Sequence, residues 1–176
     1  MRPFDRNPSP LRTAARRGAA CLLLLAAAPA AAQDDPVHDF GVTLGCLAQG
    51  DRSRDCLMAS AEDCTGSFSG GGTSMGTAHC YELGWRAWDE RLNAVYGQAR
   101  EELRGWDADF PNAPSTAEAL LAMQRAWIGY RDRTCEFEAS LFQGGTGTSA
   151  GHNACMIVET ARQTLRIADA IGAEIR

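Results

Sequence analysis

The chain has 176 residues, with 22 acidic side chains against 17 basic ones, no lysine, and a formal net charge of −5. An excess of carboxylates argues against nucleic acid or an anionic lipid surface as a partner, because like charges repel over a Debye length. The length allows one domain of ordinary size with a core of its own.

The chain opens with Arg12, Arg16 and Arg17, followed by an apolar run from Gly18 that closes on Ala30-Ala31-Ala32. The run is shorter than the roughly 20 residues a spanning helix needs. It reads as a secretory signal peptide over residues 1–32, cleaved after Ala32, which implies a periplasmic or secreted protein with no membrane attachment after cleavage. Five arginines and Asp5 lie in that leader, so residues 33–176 keep 12 basic and 21 acidic side chains, a net charge of −9. Six cysteines remain, Cys46, Cys56, Cys64, Cys80, Cys135 and Cys155. An even number in an oxidising compartment implies three disulfides, with 15 pairings open. Metal binding fits poorly: there is no C-x-x-C, and His38, His79 and His152 do not recur at ligand intervals. No metal or cofactor is expected.

Residues 33–41 read as a loose leader, and residues 42–176 as a single helical domain. Two short apolar clusters within 42–64 each suit two or three helical turns, with a polar break from Gly50 to Asp55. Residues 65–78 are rich in Gly, Ser and Thr and predict a loop. A disulfide closing such a loop would contribute about 3 kcal/mol in the chain-entropy model. From Cys80 to Arg104, Trp85, Trp88, Leu92, Val95, Tyr96, Ala99 and Leu103 recur at spacings of three and four, the stripe of a long helix. Gly105, Pro111 and Pro114 end it. Ser115-Thr116-Ala117-Glu118 matches a capping box. The helix it opens runs to about Ser140, with Leu120, Met123, Trp127, Tyr130 and Phe137 on its buried side. Residues 144–151 form a second glycine loop. A last helix runs from about Asn153 to Ile171, with Ala154, Val158, Ala161, Leu165 and Ala168 inward. Strand signals are almost absent. The expected architecture is all-α: three long helices in a small bundle, a cysteine-rich N-terminal cap of short helices, and disulfide staples.

Polar residues on apolar stripes are the candidate functional residues. Gln124 and Arg131 share a helix face with Leu120 and Trp127. A guanidinium there needs partners for its hydrogen bonds. Asp89 and Asn93, beside Trp88, Leu92 and Tyr96, can supply them. This predicts an interhelical network of Asp89, Asn93, Gln124 and Arg131 against Trp127, acting either as structural glue or as a ligand groove. Catalytic signatures are missing. Gly144 to Gly151 lacks the strand and Gly-Lys-Ser/Thr of a phosphate loop, and the pairs Asp107/Asp109 and Glu136/Glu138 are two residues apart and point in different directions, as a solvated face does.

Three motifs carry a resemblance. Trp88 to Tyr96 reads D-x-x-L-N-x-x-Y from Asp89 through Leu92 and Asn93 to Tyr96. Gln124 to Asp132, with Trp127 and Arg131, is followed by Cys135. Gly144-Gly145 then leads to Cys155, Thr160 and Arg162. Together they resemble the LprI-like lysozyme-inhibitor family over roughly Cys80 to Ile171, with Cys46 to Cys64 as an extension. The resemblance implies a periplasmic or secreted helical domain with lysozyme as a partner, and the missing catalytic signatures imply a non-enzymatic protein. It also implies the pairs Cys135–Cys155 and Cys64–Cys80, leaving Cys46 with Cys56. A net charge of −9 suits a basic lysozyme, and the two glycine loops are the expected inhibitory elements, since exposed loops commonly carry function. The alternative is a periplasmic structural or small-ligand-binding module that uses the groove around Trp127, Gln124 and Arg131.

Overall fold

The computed structural model describes residues 35–176. The leader assigned to residues 1–32 lies outside them. Five helices and no strand make up the described residues: α1 (Gly41–Leu47), α2 (Arg54–Gly66), α3 (Ser74–Asp109), α4 (Thr116–Ser140) and α5 (Thr148–Ile171). The fold is therefore all-α, with three long helices and a cap of two short ones. Cys46 pairs with Cys56, Cys64 with Cys80, and Cys135 with Cys155.

α5 is the central element. It is the most strongly amphipathic helix, and Ile157, Ala161, Thr160 and Thr164 are fully enclosed along it. One half of its inner face joins Leu57, Met58, Ala61 and Trp88 in a core under the cap. The other half, through Ile167 and Ala168, meets Leu92, Val95, Ala99, Leu120 and Trp127 between the long helices. The cap is tied down by polar groups as well as by apolar area. The Trp88 indole N–H donates to the Leu57 carbonyl at 3.0 Å. Thr43 and Ser60 join α1 to α2 through a buried hydroxyl pair at 2.8 Å, with each backbone amide donating to the other's hydroxyl. Buried groups of this kind persist because each has its partner.

The segment before α1 differs from the loose leader that its composition suggests. Phe40 is 7% exposed. Its ring meets Trp88 edge to face at a centroid distance of 5.0 Å, and the Arg91 guanidinium lies 3.4 Å above it. His38 is half-buried, with Nε2 enclosed and without a hydrogen-bond partner. Burial, with Arg91 nearby, holds the imidazole below its ordinary value. The Phe40 ring, with the Val37 amide donating to the Ser67 hydroxyl at 3.1 Å, docks the described part of this polar stretch.

Three helix boundaries differ from the sequence reading, one of them through capping. The glycine-rich segment is helical from Ser74, because the Thr73 hydroxyl accepts from the Gly76 amide at 3.0 Å and closes the first turn. At the other end α3 runs through the exposed Gly105 to Asp109. A helix tolerates a single glycine at modest cost. The second glycine loop likewise shrinks, because α5 already begins at Thr148. The Ser115 hydroxyl accepts from the Glu118 amide at 3.1 Å, the cap its sequence predicts. Asp107, expected on a solvated face, does more. Its carboxylate accepts from the Ser115 hydroxyl, from the Thr116 amide and hydroxyl, and from the Ala117 amide, at 2.6–3.1 Å. These bonds, led by the one from Ser115, hold its carboxyl well below the usual carboxylate range. The end of α3 thus caps the start of α4, a role no local motif announces.

Candidate functional site

The motif residues of α3 and α4 meet between the two helices. Asn93 donates to Asp89 at 3.1 Å, one helical turn away. Asp89 lies 3.7 Å from the Arg131 guanidinium, and Arg131 also pairs with Asp132 at 2.9 Å and stacks 4.9 Å from the Trp127 ring centroid. The Arg131 side chain is only 12% exposed, whereas both carboxylates are about half exposed. Leu92 is buried in the core, and Tyr96 lines it with the Arg100 guanidinium 5.8 Å from its ring.

Gln124 does not join this group. Its side-chain oxygen accepts from Gln163 of α5 at 2.9 Å, and the same Gln163 amide lies 2.9 Å from the Met123 sulfur. Gln163 is fully buried, and sequence reasoning passed over it. The available signal was its position at i+2 from Ala161 and i−2 from Leu165, within a stretch buried on nearly all sides. Thr160 is buried nearby and its hydroxyl has no partner, while its carbonyl accepts from the Thr164 hydroxyl. Arg162 is exposed and pairs with Glu159 at 3.0 Å. A groove of about 340 Å³ runs past Trp127, Tyr130, Glu159, Arg162, Gln163 and Arg166. The amides and guanidinium that would recognise a ligand there are largely engaged with one another.

The acidic side chain beside the first disulfide is not a metal ligand set. Cys46, Asp51 and Cys56 come within 4.8 Å, but both sulfurs are bonded to each other. Asp51 accepts from the amide and hydroxyl of Ser53, the residue that caps α2.

The glycine loops form a second candidate site. Residues 79–143 separate them in sequence, and they lie at one end of the bundle. Thr77 lines a groove with Phe142 and Gly147, and Met75 lines an adjacent one with Thr148 and Ser149. A disulfide closes the base of each loop: Cys64–Cys80 joins α2 to α3, and Cys135–Cys155 joins α4 to α5. The first loop is tightly folded, since a Cβ on Gly71 would fall 1.8 Å from the Thr65 carbonyl oxygen. The second turns through Gln143 and Gly144, both with positive φ. Gln143 is the only non-glycine residue described in that conformation, which costs about 1 kcal/mol for an L side chain.

Large apolar side chains are exposed around this end. Met75 is 82% exposed, and Phe137 and Leu141 are each 64% exposed. Tyr130 and Phe137, placed on the buried side of α4 by their spacing, face outward instead. The inward arc of α4 runs through Gln124, Trp127, Cys135 and Ala139, rotated by about a third of a turn from the stripe that includes Tyr130 and Phe137. The Cys135–Cys155 bond fixes that rotation, because a half-cystine bonded to α5 must point at it. Phe142, at the tip, lies over two glycines: a Cβ would fall 2.8 Å from its ring at Gly147 and 2.2 Å at Gly151. Tyr81 lines the same groove and donates to Glu62 at 2.5 Å. Burial, reinforced by that carboxylate, raises the phenol's pKa and keeps it a donor.

Residues 64–166 match the family described as lysozyme inhibitor LprI. An uncharacterized protein of Rhizobium meliloti (strain 1021) is 35% identical over 95 residues, a stretch covering 50% of this chain and 66% of that relative. No solved structure matches.

Proposed function

The chain belongs to the LprI family of lysozyme inhibitors, and we propose that it is an exported inhibitor that binds a basic, animal-type lysozyme through the glycine-loop end of the bundle and occludes the enzyme's substrate cleft. The observation that carries this reading is the convergence of both glycine loops at one end, each closed by a disulfide and surrounded by exposed Met75, Leu141 and Phe142. Apolar anchors on a rigid frame lose little entropy when they are buried by a partner. The net charge of −9 on residues 33–176 favours fast association with a cationic protein. Export fits three disulfides, and among the described residues no helix is long and apolar enough to cross a membrane.

The small-ligand alternative would use the groove beside Trp127. It gains less support, because Gln124, Gln163 and Arg131 already partner one another or neighbouring carboxylates.

The test is a titration of the purified, oxidised protein into animal-type lysozyme, following cell-wall lysis at low and physiological salt. Stoichiometric inhibition that survives physiological salt supports the proposal. Inhibition at low salt alone would mean nonspecific charge pairing, and no inhibition at either would refute it.

A further inference from the structure

Between α2 and α5 lies a groove of about 600 Å³. Met58, Ala150 and Ala154 contribute an apolar lining, and Tyr81 and Phe142 provide aromatic walls. Asp55 and Glu62 stand along its edge, two carboxylates against one guanidinium, Arg54. The glycine pair Gly147 and Gly151 gives Phe142 its place, since any side chain there would displace the ring. Apolar walls, aromatic faces and a carboxylate edge together suit one kind of guest. A long cationic side chain buries its methylene stem against apolar surface, lays its charge on an aromatic face, and ends at a carboxylate. The groove also lies beside both glycine loops, at the end of the bundle already assigned to the partner.

We infer that this groove takes an arginine or lysine side chain from the surface of the inhibited lysozyme. The inference rests on the inhibitor reading and names the contact through which the protein grips its target. Glu62 receives the cation, Tyr81 holds that carboxylate in place through its hydroxyl, and Phe142 covers the stem. The absence of lysine from this chain allows selective chemistry: amine-directed reagents can block the lysines of the partner and leave this protein's side chains untouched.

The experiment measures inhibition of lysozyme by the oxidised wild-type protein and by Glu62→Gln, Gly151→Ala and Glu101→Gln. Glutamine keeps an acceptor for Tyr81 but removes the charge. Alanine at 151 pushes Phe142 out of place while suiting the helix, and Glu101, an exposed residue twenty positions beyond Tyr81 along α3, serves as control. The expected result is about tenfold weaker inhibition for Glu62→Gln and for Gly151→Ala, unchanged inhibition for Glu101→Gln, and melting temperatures close to wild type in all three. If the wild type inhibits and both groove variants inhibit equally well, the groove assignment is wrong and the inhibitor reading stands. If the wild type itself does not inhibit, both fall.

Discussion

Arg131 offers the most discriminating test of how the helices are joined. Its side chain is 12% exposed, but the carboxylates it meets are about half exposed, one of them at 3.7 Å. Removing the guanidinium therefore does not strand a buried charge, which is the condition under which losing one ion-pair partner costs 3–5 kcal/mol. Half-exposed pairs contribute up to about 1 kcal/mol, and the contact with Trp127 about 0.5–1 kcal/mol more. The enclosed methylene stem is worth more, at about 0.8 kcal/mol per methylene. Arg131→Ala, which loses stem and charge, should cost about 3 kcal/mol, or roughly 10 °C in melting temperature for a domain of this size. Arg131→Met, which keeps the stem, should cost about 1 kcal/mol. Urea unfolding of the oxidised protein, followed by circular dichroism, measures both. If methionine proves as costly as alanine, charge rather than packing holds α3 to α4, and the argument from exposure is wrong.

Further outcomes follow from other parts of the structure. The disulfides span 10, 16 and 20 residues. Each contributes about 3 kcal/mol in the chain-entropy model, so their sum is comparable to the whole stability of an ordinary domain, and thermal scans with and without dithiothreitol should show the reduced protein losing its cooperative transition or melting far lower. Phe40→Ala should destabilise by about 3 kcal/mol, visible in the same urea titrations; no change would mean that the segment before α1 is undocked in solution. His38 is held below 6.5 by burial first and Arg91 second. The unfolded chain therefore takes up a proton at this site before the folded one does, and stability present above pH 6.5 is lost as pH falls below it. His38→Leu should flatten that part of a melting-temperature profile against pH. Asp107 acts at lower pH: its contribution is complete above the usual 3.8 and disappears as pH falls below that value, so Asp107→Asn should reduce acid sensitivity there.

Most of the framework was legible in the sequence because helical periodicity and cysteine parity are strong, local signals. α4 begins at its capping serine, and the inward face of α5 contains every residue its spacing selects. The errors have physical causes. Tyr130 and Phe137 share an apolar spacing with Trp127, but periodicity cannot say which edge of a broad stripe turns inward, and the bond from Cys135 to α5 decides it. Phe40 is a single aromatic residue with no period to reveal it. Gln163 was hidden because a polar residue on a helix enclosed on most sides breaks the binary pattern, and Asp107 because its partners follow the proline-rich turn. At the loop end, composition marked both glycine segments as turns; that holds for residues 67–73 and 144–147, while residues 74–78 and 148–151 are helical. It could not show that they converge, since that depends on α3 and α5 lying side by side.

The division between frame and loops bears on what the family motif means. Asp89, Asn93, Arg131 and Trp127 satisfy one another across α3 and α4, and Gln124 is engaged by Gln163. Groups committed to each other in this way are poorly placed to meet a partner as well, since a new contact would first have to break an existing one. The motif should therefore specify the helix frame, with recognition carried by the less patterned tip. On this argument Asp89→Asn and Arg131→Met lower stability but leave inhibition per folded molecule unchanged, whereas Phe142→Ala weakens inhibition with little loss of stability. Lysozyme titrations normalised to the folded fraction, set beside urea unfolding of the same preparations, separate the two effects. Loss of inhibition in folded Arg131→Met would place the partner on the α3–α4 face and move the binding site away from the glycine loops.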